Sequence, residues 1–233
     1  PSLGRVNGRD LVFWGGGDGV CYAFDARIEP GLDGKPGKLN RVWQFDCNPA
    51  CNRERDGKPL PYNKNGQGPS EIIATPVFEK GRVYVAVGQD SRHGPGRGCL
   101  SCIDATQTGD ITQTGKLWQC LDVGRSFSSA AVTPDGLVFI ADYGGVLRCL
   151  DADTGHEHWS HDLRGRVFCS PFCSGGRVYI GTEAGRLTVA EASRDKRILG
   201  EIRFDSPIYA TPVAANGVLY VASQRTLYAF QRN

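Results

Sequence analysis

Short runs of alternating apolar and polar residues recur along this chain, and glycine-rich turns separate them. Such alternation predicts β-strands with one buried face. One run reads GRVYVAV from Gly81 and recurs as GLVFIAD from Gly136, GRVYIGT from Gly176 and GVLYVAS from Gly217. Equivalent positions lie 40 residues apart between Val138 and Val178. The chain is therefore built from internal repeats.

Each recurring unit contains four such runs, and in three units the fourth run carries a tryptophan. A single four-stranded sheet cannot bury both of its faces, whereas stacked sheets can, and units of about 40 residues are typical of propeller blades. We therefore predict an all-β fold, a β-propeller of four-stranded antiparallel blades, with five blades in this chain and the last one incomplete. The blades are predicted at residues 1–46, 71–122, 126–163, 166–204 and 206–232, with an insertion loop at 47–70.

The repeat register places both ends of the chain inside a blade. Pro1-Ser2-Leu3 aligns with Pro76-Val77-Phe78, in the middle of an innermost strand, and the last unit stops before its fourth strand. Proteins normally avoid unpaired strand edges of this kind. We therefore expect the chain to be part of a seven- or eight-bladed ring. A tight five-bladed ring with a three-stranded last blade is the alternative.

The composition limits the kinds of binding partner that we expect for this chain. The net charge is +2 and charged residues make up 22% of the chain, so no global basic field favours nucleic acid as a partner. The apolar runs are far too short for a helix that crosses a membrane. The chain contains no methionine and no leader segment, so we expect it to be a processed product or a fragment.

The stretch CLDADTGHEHW from Cys149 contains residue types that could form a metal or acid–base site, but its position in the repeat indicates a turn. Asp151 is expected to cap its own backbone, and Gly155 to take the positive-φ position. His156 and His158 have no counterparts in the other units, which favours exposed turn residues over metal ligands. The residues predicted to be structural, because they recur from blade to blade or form this turn, are Trp43, Trp118, Trp159, Asp25, Asp104, Asp151 and Gly155.

The same stretch resembles the repeat of the pyrroloquinoline-quinone-like (PQQ-like) β-propeller superfamily. The blades of that superfamily carry a small residue, Leu-Asp-Ala, Thr-Gly and then a docking tryptophan, and Cys149 stands where the small residue is usually alanine. The fourth and fifth units lack the tryptophan. Longer segments, such as GPSEIIATPVF from Gly68, are similar to large secreted bacterial propellers of unassigned activity. The resemblance implies an extracytoplasmic location, periplasmic or secreted.

The nine cysteines do not form an evident metal or redox motif. Cys99 and Cys102 lie three apart in a predicted strand and point to opposite faces, so we interpret them as small core residues. We predict no metal site. Cys47 and Cys51 open the insertion loop, where no strand holds them apart. A local disulfide in an oxidising compartment and half of a metal site are both open for this pair.

Two long insertions, at 47–70 and 88–98, are expected on one face of the propeller, where loops carry function. The candidate binding residues on this rim are Arg53, Arg55, Lys58, Tyr62, Lys64, Arg92, His93 and Arg97. Their local basic surplus predicts recognition of an anionic group on a partner or ligand. A solvated loop without a ligand is the alternative.

No nucleophile–base pair and no phosphate-binding glycine loop is evident. We therefore predict no catalytic residues and no cofactor, in a binding or scaffold propeller whose partners are proteins or the missing blades of its own ring. The resemblance also implies an alternative, a fragment of a PQQ-dependent quinoprotein dehydrogenase. Such enzymes hold quinone and calcium on the ring axis and often add an adjacent cysteine pair. This chain has no adjacent cysteines.

Overall fold

Alternating strands fill the computed structural model, which describes residues 1–31, 35–62, 68–90, 92 and 96–231. They fall into two units, Pro1–Asp122 and Val123–Asn233. In each unit the strands pair mainly with their neighbours in the chain, and the sheets are antiparallel except for one short bridge. This topology needs only tight turns between strands, as the glycine-rich repeats predict.

The described residues of the first unit form a sheet of four antiparallel strands extended by one short parallel strand, a second sheet of four strands, and an insertion between them. The first sheet consists of β1 (Ser2–Val6), β2 (Arg9–Gly15), β3 (Val20–Glu29) and β4 (Lys38–Asp46). The insertion contains α1 (Ala50–Arg53) and a hairpin of β5 (Glu54–Arg55) and β6 (Lys58–Pro59). The second sheet consists of β7 (Val77–Glu79), β8 (Arg82–Val87), β9 (Cys99–Asp104) and β11 (Lys116–Cys120), and β10 (Gly109–Asp110) pairs in parallel with β4.

The second unit contains the third, fourth and fifth sheets. The third sheet consists of β12 (Ala131–Val132), β13 (Leu137–Ala141), β14 (Val146–Asp151) and β15 (Glu157–Asp162). The fourth consists of β16 (Phe172–Ser174), β17 (Arg177–Gly181), β18 (Arg186–Glu191) and β19 (Ile198–Arg203). The fifth consists of β20 (Val213–Ala215), β21 (Val218–Ala222) and β22 (Leu227–Gln231).

The tight hairpin turns explain why glycine recurs at one position of the repeat. Asn7 and Gly8 between β1 and β2 have φ values of 49° and 79°, and Asn216 and Gly217 between β20 and β21 have 52° and 76°. Positive φ at both central residues defines the type I′ turn, whose twist matches that of antiparallel strands. Glycine and asparagine tolerate this conformation better than other residues do, so the sequence fixes the strand register at these turns.

The strand pairing puts the repeated tryptophans at one position of the sheets. Each lies on the fourth strand, opposite a small residue of the third strand. The pairs are Ala23 with Trp43, Cys102 with Trp118 and Cys149 with Trp159. The small residue leaves room for the indole over the sheet. In the fourth sheet the equivalent pair is Val189 with Gly200.

The predicted all-β fold of repeated four-stranded antiparallel sheets is confirmed, and the last sheet has three strands among the described residues. The number of blades in the complete ring stays a prediction. In the part of the chain that the structure describes, no helix is long and apolar enough to span a membrane.

Candidate binding surfaces

The first insertion is fastened to the first sheet by Arg53, at the end of α1. Its Nε and Nη2 atoms donate to the two carboxylate oxygens of Asp46, each at 2.6 Å, and Nη2 also donates to the backbone oxygen of Asp18 at 3.0 Å. A bidentate arginine–carboxylate pair fixes both distance and orientation. Arg53, predicted to bind a ligand, therefore holds the insertion in place.

The two ends of the same insertion are joined by Asn48 and Ser70, both buried. The Ser70 amide donates to Asn48 Oδ1 at 2.7 Å, and Asn48 Nδ2 donates back to the Ser70 oxygen at 2.9 Å. Ser70 Oγ then donates to the backbone oxygen of Arg97 at 2.6 Å. The bases of the two insertions that the sequence placed on one face are thus in contact within the first unit.

The other rim candidates differ in their surroundings. Arg55 and Lys58 are exposed and pair across the β5–β6 hairpin. Arg92 Nε lies 3.3 Å from Asp90 Oδ1. Burial and a hydrogen bond to Glu71 raise the pKa of Tyr62, whose side chain remains exposed. Arg97 is also exposed, whereas Lys64 and His93 lie outside the described residues. A binding role for this rim stays a prediction.

The structure does not join Cys47 to Cys51, and both are free thiols. Cys47 is fully buried and its sulfur lies 3.8 Å from the Phe45 oxygen, whereas Cys51 is exposed. The four-residue helix α1 begins at Ala50 and includes Cys51, while Cys47 directly follows β4. This structure thus has one core thiol and one surface thiol, and a disulfide between them in an oxidising compartment stays a prediction.

The remaining buried thiols have the properties of core residues. Burial raises the pKa of Cys99, Cys149 and Cys173 to about 12 and that of Cys169 to about 11. The reactive thiolate is therefore scarce at neutral pH. No group of three or more His, Cys, Asp or Glu side chains could hold a metal ion among the residues described.

We expect Cys51 to react with iodoacetamide at pH 8 well before the buried thiols, because it is exposed and they are protonated and shielded. Peptide mass spectrometry of a labelling time course measures this order. Cys51→Ser should remove the fast phase, and the matched variant Cys120→Ser, at a half-buried site, should keep it. Early labelling of Cys47, or protection of Cys51 that a reductant reverses, would contradict the assignment.

The predicted structural aspartates lie on the third strands: Asp104 and Asp151 end theirs, and Asp25 lies within β3. Asp25, Asp104 and Asp151 each accept the backbone N–H two residues ahead, at 3.0, 2.9 and 3.0 Å. Gly155 has a φ of 72°, and His156 beside it is exposed. Asp104 and Asp151 thus shape the turns that follow their strands.

Two tryptophans donate a hydrogen bond to the turn that follows the third strand of the next sheet. Trp43 Nε1 donates to the Ala105 oxygen at 3.2 Å, and Trp159 Nε1 donates to the Ser193 oxygen at 2.9 Å. Trp118 is nearly buried, with its ring centre 5.9 Å from that of Tyr84. Within each unit, the indole therefore links one sheet to the next.

A row of aromatic side chains in the second unit was missed by the sequence analysis. Phe127, Phe168 and Tyr209 follow one another at intervals of 41 residues, one before each sheet. The Phe127 and Phe168 rings lie 5.7 Å apart, and those of Phe168 and Tyr209 lie 5.3 Å apart, edge to face. We call these three residues the aromatic row.

A fourth ring, that of Tyr143, lies beside the aromatic row, and two arginines lie against that ring. Tyr143 lies 5.1 Å from Phe127 and 5.3 Å from Phe168. The guanidinium carbons of Arg125 and Arg166 lie 4.3 and 5.5 Å from the centre of the Tyr143 ring, within range of a cation–π interaction. The regular interval in the sequence could have indicated the row, but not the arginines around it.

The comparisons with known proteins agree with this architecture. The model of the PQQ_2 family, described as outer membrane protein assembly factor BamB, matches residues 96–198. The dehydrogenase subunit of alcohol dehydrogenase (quinone) from Acetobacter aceti is 24% identical over 153 residues, which cover 60% of this chain and 20% of that protein.

Two solved structures share the fold. BamB from Moraxella catarrhalis has a TM-score of 0.65 at 15% identity, over 99% of this chain and 57% of that one. The C-terminal WD40 domain of Sif2 has a TM-score of 0.66 at 15% identity, over 95% of this chain and 54% of that one. The chain spans little more than half of each structure, so its sheets match part of a β-propeller. Residues 96–198 therefore carry repeats similar to those of the PQQ-like β-propeller family.

Proposed function

We propose that this chain is a binding or scaffold propeller, without catalytic residues of its own, that recognises a protein partner through the aromatic row. The observation that carries the proposal is the continuous series of rings flanked by Arg125 and Arg166. Aromatic residues and arginine are enriched in the centres of protein interfaces, where they dominate the binding energy. Tyr209, 45% exposed, offers the most accessible ring of the row.

Similarity to a family described as an assembly factor of outer membrane proteins supports a protein partner and an extracytoplasmic location. The balanced charge of the chain gives no reason to favour nucleic acid. In the first unit, the exposed pair Arg55 and Lys58 is proposed as a secondary contact for an anionic group, since Arg53 is already paired with Asp46.

Site-specific photocrosslinking in the source cells tests the main proposal. A benzophenone amino acid at Tyr209 should give discrete adducts, whereas the same group at Trp14, a similarly exposed aromatic position in the first unit, should not. Once the crosslinked partner is purified, Phe168→Ala should weaken its binding at least tenfold, because truncating a hot-spot side chain costs about 2 kcal/mol or more and tenfold corresponds to about 1.4 kcal/mol. Equal adducts at both positions, or unchanged affinity, would reject the aromatic row as the interface.

The quinone alcohol dehydrogenase relative favours a second candidate, a fragment of a quinoprotein dehydrogenase. The residues at hand do not fit a quinone and calcium site, because adjacent cysteines are lacking and no metal-holding group occurs within the described ranges. The full-length protein, incubated with the quinone and calcium, should show no stoichiometric quinone absorbance band under the binding proposal. Such a band would support the enzyme instead.

A further inference from the structure

The fourth sheet lacks the tryptophan that links the first and third sheets to their neighbours. Gly200 occupies its place, opposite Val189. A Cβ atom built on Gly200 would meet no atom within 4 Å, whereas one on Gly181 of the same sheet would lie 2.2 Å from Ile208. The space beside Gly200 is therefore open, and no close backbone contact requires glycine there.

The surroundings of Trp159 show what an indole contacts at this position. Its ring lies 5.9 Å from that of Phe139, a residue of its own sheet. It belongs to the same apolar cluster as Val178 and Ala190, with Cys173 packed against that cluster, and these three residues belong to the following sheet. The indole thus lies in an apolar cluster shared with the following sheet, and its Nε1 atom donates to the Ser193 oxygen of that sheet's turn.

The equivalent positions one sheet later line a cavity of about 510 Å³. Tyr179 pairs with Val189 as Phe139 pairs with Cys149, so Tyr179 replaces the ring beside the indole. The other equivalents follow from the pairing of β16–β18 and β20–β22: Ala214 for Cys173, Leu219 for Val178 and Phe230 for Ala190. All four residues line the cavity. The cavity thus lies among the equivalents of the residues that surround Trp159 in the preceding repeat, and Gly200 and Val189 lie outside its lining.

We propose that this cavity, between the fourth and fifth sheets, binds the indole of a tryptophan side chain supplied by a partner polypeptide. The occupant is inferred from the chain itself, because tryptophan occupies the equivalent position in the first three sheets. The volume lies within the range of about 300–1,000 Å³ typical of ligand pockets. Tyr179, Leu219 and Phe230 supply apolar and aromatic walls, and the exposed Arg177 also lines the cavity, where a guanidinium favours an aromatic ring.

This site is distinct from the aromatic row, so its test is independent of the proposed function. The probe is the blocked peptide Gly-Gly-Trp-Gly-Gly, titrated into the isotopically labelled chain and followed by NMR. Resonances of Tyr179 and Leu219 should shift in a saturable manner, and Gly-Gly-Ala-Gly-Gly should shift neither. Absence of saturable shifts up to millimolar peptide would overturn the proposal.

The variant Gly200→Trp places a tryptophan of the chain itself at the position equivalent to Trp159. It should abolish peptide binding and raise Tm by about 4 °C, because the indole fills the cavity. The matched control is Gly17→Trp, at another glycine whose Cβ would meet no atom within 4 Å, and it should leave binding and Tm unchanged. If Gly200→Trp fails to fold, Ala214→Phe fills the cavity from the opposite sheet and should also abolish binding. Peptide binding retained by a folded filling variant would overturn the proposal.

Discussion

Replacing Trp43 with alanine is expected to lower the free energy of unfolding by about 4 kcal/mol. The side chain is fully buried, its ring lies 5.8 Å from that of Phe13, and its Nε1 atom donates to the Ala105 oxygen. Alanine would leave a large cavity between two sheets and a buried carbonyl without this donor, and both effects destabilise the native state. Urea unfolding followed by circular dichroism measures the change without relying on tryptophan fluorescence.

Trp14→Ala is the matched control, since Trp14 is 51% exposed and carries the same ring. It should change the free energy of unfolding by less than about 1 kcal/mol. Trp43→Phe should fall between the two, because it keeps much of the apolar contact and removes the donor and part of the ring volume. Equal losses at Trp43 and Trp14 would show that the recurring tryptophan does not stabilise the contact between sheets.

The repeated sheets and their turns could be predicted because their signals are local. Alternation over five or six residues places side chains on the two faces of a strand, and Asn-Gly pairs such as Asn216-Gly217 specify the hairpin turn. The positions of the tryptophans also repeat with the strands, so Trp43 and Trp159 could be matched before their contacts were known. The repeats therefore carry most of the information on fold.

The roles of the insertion residues could not be predicted because they depend on long-range contacts. Arg53 counted as a free cation in the sequence, yet its partners Asp46 and Asp18 are set by a four-residue helix with no periodic pattern of its own. The same helix separates Cys51 from Cys47. In contrast, the loss of tryptophan from the fourth unit was evident in the sequence, but the cavity between the fourth and fifth sheets is formed only when the two sheets pack together.

A second large effect is expected at the buried ion pair of the third sheet. Arg148 Nη1 lies 2.8 Å from Asp142 Oδ2, and the two side chains are only 14% and 8% exposed. The other oxygen of Asp142 accepts the Val146 amide at 3.1 Å, which holds the carboxylate at the turn. Arg148→Met would leave the carboxylate buried without its cation, so we expect a loss of about 3 kcal/mol in the free energy of unfolding.

The double variant Asp142→Asn, Arg148→Met separates the cost of an unpaired charge from the loss of packing. Arg148 Nε also lies 3.1 Å from Glu157 Oε2, and Glu157 loses this partner equally in the single and the double variant. Because the double variant removes both charges of the Asp142–Arg148 pair, it should be more stable than Arg148→Met alone, and a double-mutant cycle should give a coupling energy of about 1.5 kcal/mol or more. Arg5→Met is the control at the surface, where Arg5 and Asp10 are 75% and 69% exposed and 3.9 Å apart, and it should change stability by less than about 1 kcal/mol. If the double variant proved as unstable as the single one, the destabilisation would arise from the lost packing of Arg148 or from Glu157 without its partner, and not from the Asp142 carboxylate.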